Sequence, residues 1–538
     1  MITHEILNQA PDRVGVNEFL ANPALVEGVR RWGRGAAGLD EAGELVGSAD
    51  FQWDAELANT HEPVLHTHDR HGARIDEVEY HPAYHRVIGD AVARGAHTSA
   101  WATPGPGASV DRAAMFYLFA QVEPGHACPV SMTHAGAAIL AESDFPGRDT
   151  WWARALATGY RADAALLGMA MTEKQGGSDV RANTTRAERT ADGTWLLTGH
   201  KWFCSAPMSD AFFVLAQTDA GLGCFFVPRA LPDQSRNPFA IQRLKDKLGN
   251  RSNASSEVEF DGTVGWLVGE PGLGIRTILP MVSRTRLDCV IGTAAGMRQS
   301  VAEAAWHVRH RAAFGRTLVD QPAMTAVIAD LQLESEAATL TALRLARAHD
   351  ADASPTELAF RRLATAVAKY LVCKRGPGHA YEALECLGGN GYTEAFPLAR
   401  RYREQPVMAV WEGSGNVIAL DVLRALGREP ESFEAFFDEV GAARGASRVF
   451  DAELDAVTAL TREIGAELRA EGTPAGSPEL RARELAGRLG TLLEASLVLR
   501  HSPAAVGDAF AAARIGHPSA LYGALPAGPD LAAIVARA

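Results

Sequence analysis

Glu412 is a carboxylate set apart by its neighbours. It stands between Trp411 and the loop Gly413–Ser414–Gly415–Asn416, and Val417, Leu420, Leu423 and Leu426 follow at helical spacing. The pattern predicts a helix starting near Ser414–Asn416, with Ser414 or Asn416 as its cap. The dipole of that helix would hold Glu412 ionised, and burial against Trp411 would pull the other way. A carboxyl balanced between the two effects suits a general base. The alternative is a plain capping or salt-bridge residue, and taken alone this motif favours it.

Four other stretches carry residues of chemical interest. "MTEKQGGSDV" (171–180) offers the hydroxyls of Thr172 and Ser178, while Gly176 and Gly177 let backbone N–H groups approach a planar or anionic ligand. No G-x-G-x-x-G joins a strand to a helix, which disfavours a Rossmann dinucleotide site; a surface turn is the alternative. "GHKWFCSAP" (199–207) sets Trp202 and Phe203 beside Cys204 and Ser205. Such aromatics usually fill a core, yet a flavin ring also needs an aromatic wall with hydroxyl donors.

"RHRAAFGRTLVDQP" (309–322) breaks a helical pattern at Phe314–Gly315 and carries Arg309, Arg311 and Arg316. Guanidinium forks suit pyrophosphate, and a solvated, positive helix end is the competing reading. "ALECLGGNGYTEAFPLARRYRE" (383–404) ends a helix in Gly388–Gly389, with Gly391 soon after. Three glycines in four residues point to backbone passing tightly over something, or to a long turn.

The elements that must position these residues change character along the chain. Residues 1–167 mix helical-period segments (111–123 and 149–167) with Pro/Gly/His-rich connections. Over 168–274, short apolar runs such as "AFFVLAQT", "GCFFVP" and "SSEVEF" separated by glycine turns read as strands. From 275 to 427 the chain reads as long amphipathic helices, and 428–538 as a further helical domain with a loop at 472–478. Helices, then strands, then helices is an α+β order, mostly α, without βαβ alternation.

At 538 residues, two to four domains are expected. With 47% hydrophobic and 22% charged residues, and no run of eighteen apolar ones, the composition is globular and no span of a membrane is expected. The opening residues lack the pattern of a signal peptide. Six scattered cysteines without a CxxC or a His/Cys cluster argue against a disulfide framework or a metal site; a cytoplasmic setting is expected. A net charge of −13 provides no general attraction to nucleic acid or anionic lipid.

Taken together, "MTEKQGGSDV", "GHKWFCSA", "DKLGNRSNASSEVEFDGTVGWLVGEPGLGI", "RHRAAFG", "ECLGGNGY" and "VWEGSGN" occur in the order found in the acyl-CoA dehydrogenase superfamily. More narrowly, "MTEKQGGSDVRANTTRAE", "CKRG", "RYREQPV", "HPAYH" and the tail beyond 428 resemble its AidB-type branch of alkylation-response flavoproteins. The resemblance implies a helical domain, a small β-barrel and a helical bundle, with FAD between barrel and bundle. It implies flavin contacts at Met171, Thr172, Gly177 and Ser178, and at Phe203 and Ser205. Relatives often carry tryptophan at the Phe203 position, whereas here Trp202 comes one residue earlier.

The resemblance further implies that Arg311 and Phe314 reach FAD across a dimer interface in a dimer of dimers. Glu385, Gly388 and Gly389 fall on the adenine side, with Glu385 where many relatives have glutamine, and Ser414 and Asn416 on flavin contacts. Glu412 falls on the catalytic base, which removes the α-proton of an acyl thioester while the β-hydride passes to the flavin. An electron-transfer partner or oxygen would then reoxidise the flavin. The same fold also hosts oxidases and monooxygenases acting on substrates without CoA.

The AidB-type branch implies a second function, protection of DNA against alkylation. DNA binding would call for basic residues in the extra domain. Residues 428–538 carry eleven arginines, no lysine and sixteen acidic residues, with the arginines interleaved among the acids. That pattern is the usual one for a solvated helix face, so only weak DNA binding is expected.

Overall fold

The computed structural model describes residues 3–35, 37–160, 163–470 and 477–538. Residues 472–476 of the expected loop lie outside these, and Ser477 already opens the helix Ser477–His501. Contacts divide the chain into two compact units. One comprises residues 1–49, 105–122 and 289–538, the other residues 50–104 and 123–288.

The second unit is built on strands. A hairpin pairs β1 (Val64–His68) with β2 (Arg74–Glu79), and a seven-stranded sheet follows: β3 (Leu167–Ala170), β4 (Arg186–Arg189), β5 (Trp195–Ser205), β6 (Ala211–Thr218), β7 (Gly221–Pro228), β8 (Phe239–Leu244) and β9 (Ser255–Val268). The pairings β6–β4–β5–β9–β7 close back on β6, giving a five-stranded barrel with β3 on β6 and β8 on β9. Closure removes sheet edges, and it explains why "AFFVLAQT" reads as an unbroken apolar run. Phe212, Phe213, Phe225 and Phe226 are all fully buried, facing packed surroundings on both sides of their strands.

Helices Pro82–Ala93, Ala127–Glu142 and Arg148–Leu156 belong to the same unit. The helical reading of 149–167 needs correction: the helix stops at Leu156. Ala157 turns extended, Tyr160 takes a left-handed φ of 42°, and Arg154 fastens the returning chain by bonding the Ala164 carbonyl at 3.0 Å.

The first unit is helical. Its long members include Cys289–His310 of the helix Gly274–His310, Pro322–Arg347, Pro355–Glu385, Arg448–Arg469 and Ser477–His501. The helix Ala108–Val122 is buried all round, and its Tyr117 hydroxyl meets the Ala294 carbonyl at 3.2 Å and Thr339 Oγ1 at 3.0 Å. Such a satisfied hydroxyl fixes helix register without the cost of an orphaned polar group. Among the described residues no helix is long and apolar enough to cross a membrane. All six cysteines are buried thiols.

Candidate functional site

In the barrel unit the loop after β3 and the end of β5 come together. Trp202 N–H donates to the Thr172 carbonyl at 2.8 Å, so the 171–178 loop lies beside the Trp202–Ser205 strand end. Beneath them sits an ion pair absent from the sequence reading. Glu173 and Lys201, both wholly buried, meet at 2.8 Å. Glu173 also accepts from Thr184 N and Oγ1 and from Thr185 N, and Lys201 donates to the Leu215 carbonyl at 2.7 Å.

Burial alone would raise the Glu173 pKa, but the Lys201 ammonium and these donors overcome it and hold it at about 2. Burial lowers the Lys201 pKa in spite of its partner. Both residues lie inside quoted motifs, Glu173 one position after Thr172 and Lys201 two before Phe203. The signal lay in Lys201 alone: it falls on the buried side of β5, where a charge must find a partner.

The loop itself is shaped by glycine. A Cβ at Gly177 would meet Thr172 Oγ1 at 2.5 Å, whereas at Gly176, with φ 133°, it would enter open space. Met171 is held from behind, its carbonyl accepting from Asn183 Nδ2 at 2.8 Å, and Ser178 is exposed. The two aromatics differ. Lys245 Nζ lies 3.2 Å from the Trp202 ring centroid, with Lys174 and Arg243 at 5.5 and 5.7 Å, while Phe203 keeps 50% exposure. Cations therefore crowd Trp202, and Phe203 is the freer apolar face. Ser205 is half-buried beside Ser255, 3.2 Å between hydroxyls.

In the helical unit, Glu412 sits in a turn between the helices Pro397–Met408 and Gly415–Arg428. Its own φ is 57° and that of Gly413 is 109°. A left-handed backbone on a non-glycine residue costs about 1–3 kcal/mol and persists only when its surroundings impose it. Lys369, itself buried, donates to the Gly413 carbonyl at 2.5 Å. On the other side Trp411 packs against Cys289, Cys373 and Met408. The loop is thus clamped at both ends of Glu412.

Ser414 occupies the N-cap position, yet its side chain makes no capping bond, and Asn416 lies exposed inside the first turn. The helix buries Ile418, Val422 and Ala425, leaving Leu420 39% exposed. A Cβ on Gly415 would meet Lys374 Cε at 2.9 Å and Arg483 Nη2 at 3.2 Å. Burial, then Arg483 and Lys369, lower the Lys374 pKa. Two cations thus crowd a helix N-terminus, an arrangement that attracts anions.

Two further predicted positions lie in the same unit. The helix ending at His310 runs into a two-residue hairpin, Ala312–Ala313 with Arg316–Thr317, whose turn is Phe314 (φ 55°) and Gly315 (φ 75°). Arg311 is held by the Asn8 carbonyl at 2.9 Å, leaving Phe314 98% exposed at the tip. The helix Pro355–Glu385 leads into a 3₁₀ turn, Gly388–Tyr392, with Glu385, Gly388 and Gly389 exposed. Only Gly391 is tight: its Cβ would lie 2.1 Å from the Leu384 carbonyl.

Comparison with known proteins gives these features a common setting. Residues 8–162 match the family described as adaptive response protein AidB, N-terminal domain. Residues 168–263 and 272–427 match the middle and C-terminal domains of acyl-CoA dehydrogenase. The AidB protein of Escherichia coli (strain K12) is 44% identical over 482 residues, covering 88% of this chain and 89% of that protein. Acyl-CoA dehydrogenase family member 11 of Caenorhabditis elegans is 27% identical, with 90% and 84% covered. The crystal structure of C. elegans ACDH-11 in complex with C11-CoA superposes with a TM-score of 0.85 at 24% identity, over 93% of this chain and 90% of that one. The chain belongs to the acyl-CoA dehydrogenase family, in the branch of AidB.

Proposed function

We propose that the protein is an FAD-dependent oxidoreductase that dehydrogenates an acyl thioester, with Glu412 as the base. The observation that carries this reading is the left-handed, doubly clamped backbone at Glu412, since strain of this kind gathers where a side chain must be aimed. The residues fit the cofactor. The 171–178 loop offers open backbone at Gly176, Phe203 offers an aromatic face, and the Ser414 hydroxyl is not spent on capping. The crystallised relatives support it too, one carrying C11-CoA and a glutaryl-CoA dehydrogenase carrying FADH2.

FAD, when bound, accepts the hydride that leaves the β-carbon. The rest falls to this chain. Glu412 removes the α-proton on a carboxylate oxygen, and the electron pair freed at the α-carbon closes the double bond of a 2-enoyl thioester. Phe203 and the 171–178 loop would hold the flavin ring system. Lys374 and Arg483 stand where a phosphate-bearing group would be favoured. Arg311 and Phe314 belong to the surface that pairs with a second copy.

Anaerobic titration with acyl-CoAs of graded chain length tests the assignment. The flavin visible band should bleach with one chain-length class, and Glu412→Gln should slow bleaching by roughly 10²–10⁴-fold with FAD still bound. Bleaching at the native rate in that variant would remove Glu412 from the role. A second reading, a DNA-associated flavoprotein, rests on what the AidB-type resemblance implies, and the AidB N-terminal family model matches residues 8–162.

A further inference from the structure

The barrel unit holds a cavity of about 500 Å³ to which no residue of the flavin or base assignment contributes. Its walls come from the helix Pro82–Ala93, from residues 157, 160 and 164–166, and from the barrel end at 206, 208–210 and Arg229. Most of the lining is apolar, including Ile88, Val92 and Ala165, all buried. One side is aromatic: the Tyr80 and Tyr84 rings stack with centroids 4.4 Å apart, and the Tyr160 hydroxyl bonds His85 Nδ1 at 2.8 Å.

Two features show that the space is shaped for an occupant. Tyr160 (φ 42°) and Ala206 (φ 49°) both line it in left-handed conformations that non-glycine residues rarely adopt. Ser209 is 98% buried against it, and the Ser209 hydroxyl has no hydrogen-bond partner among the described residues. A buried hydroxyl without a partner costs about 1–3 kcal/mol unless a ligand or water meets it.

Three charged groups line the cavity, the carboxylates of Glu77 and Asp210 and the guanidinium of Arg229, and how each is engaged gives the sign of that ligand. Both oxygens of Asp210 are occupied, one by Arg154 Nη2 at 3.0 Å and the other by Leu166 N–H at 2.9 Å. Arg229 is served far less well. Its ion pair to Glu77 is 3.5 Å long, and that glutamate side chain is 55% exposed. Its Nη1 otherwise meets the Met208 sulfur, 3.8 Å away. Burial lowers the Arg229 pKa, and the nearby carboxylates of Glu77 and Asp210 offset that only in part.

We propose that this cavity binds a small monocarboxylate with an apolar body: the carboxylate meets Arg229 and the Ser209 hydroxyl, and the body lies against Tyr80, Tyr84 and the aliphatic wall. A planar carboxylate suits the guanidinium fork, and the volume fits a molecule of one ring or a short chain.

Calorimetric titration of the full-length protein with 3-phenylpropanoate, octanoate and phenyltrimethylammonium tests this. At least one carboxylate should bind saturably and the ammonium should not; the better carboxylate identifies an aromatic or an aliphatic body. Arg229→Gln should weaken binding roughly tenfold or more, Ser209→Ala less, and Ala165→Phe should abolish it by filling the space. Circular dichroism confirms folding, and Ser209→Ala and Ala165→Phe decide the matter where Arg229→Gln misfolds. Absence of saturable carboxylate binding, an affinity indifferent to all three variants, or preference for the ammonium would overturn the proposal.

Discussion

Three buried glutamates give the protein an acid-sensitive interior. Glu173 is held at about 2 by Lys201 and its backbone donors, against the opposing effect of burial. Glu123 is likewise held at about 2, because hydrogen bonds from His126 and Ser252 outweigh burial. Glu334 is lowered to about 2 by Arg375 and Arg514 despite full burial. A carboxyl depressed in the folded state contributes stability that is present above the ordinary glutamate range and lost as pH falls toward the folded value. Denaturant melts should therefore show stability falling between about pH 4.5 and 2, by on the order of 3 kcal/mol for each such group. Glu494 has the opposite sign: burial and nearby Glu334 raise its pKa, so its contribution is present at low pH and lost as pH rises. Lys201→Met should destabilise by about 3–5 kcal/mol at pH 7, because it strands a buried carboxylate. The deficit should shrink at pH 4, where Glu173 can take up a proton; an equal deficit at both values would break the assignment.

At the level of elements, the Phe314–Gly315 hairpin sets local cost against use. Phe314 occupies a left-handed turn position with 98% of its surface exposed, so it contributes nothing to the core of its own chain. Phe314→Asn should relax the turn by about 1 kcal/mol. If the tip pairs with a second copy, the same change should loosen assembly, read as a shift to lower mass in sedimentation. Stability and assembly would move in opposite directions, and a variant still fully assembled would remove Phe314 from the interface. The β6, β7 and β9 strands were legible because packing on both faces leaves apolar runs. β8, "FAIQRL", was not, since its burial fades toward Arg243 and the run is short. The end of the helix at Leu156 was hidden because it depends on Tyr160 and Arg154, whose tertiary bonds leave no periodic trace. Glu412 could be named from motif order, but Lys369, which clamps its loop, sits 43 positions earlier in the chain with nothing local to mark it.

Across the whole chain, the arginines of the last hundred residues are largely occupied. Arg481 meets Glu463 and Glu467, Arg488 meets Glu453, Arg500 meets Glu439, Arg514 meets Asp330 and Glu334, and Arg537 meets Glu27 and Glu336. Charges already paired within the chain release few counterions from a phosphate backbone. Affinity for duplex DNA should be weak and should drop at least ~10-fold between 50 and 200 mM salt; a nanomolar complex indifferent to salt would sink that expectation.

The six buried thiols divide evenly between the two units, with Cys128, Cys204 and Cys224 in one and Cys289, Cys373 and Cys386 in the other. Burial pushes the Cys224 and Cys386 thiols up to about 12 and raises Cys204 and Cys373 as well, so little thiolate exists to react while the fold is closed. A thiol reagent left with the native protein therefore acts as a clock for opening. Mass spectrometry of the labelled peptides, taken over time, would show whether three sulfurs become reactive before the other three or all six together, and so whether the molecule comes apart in two steps or in one.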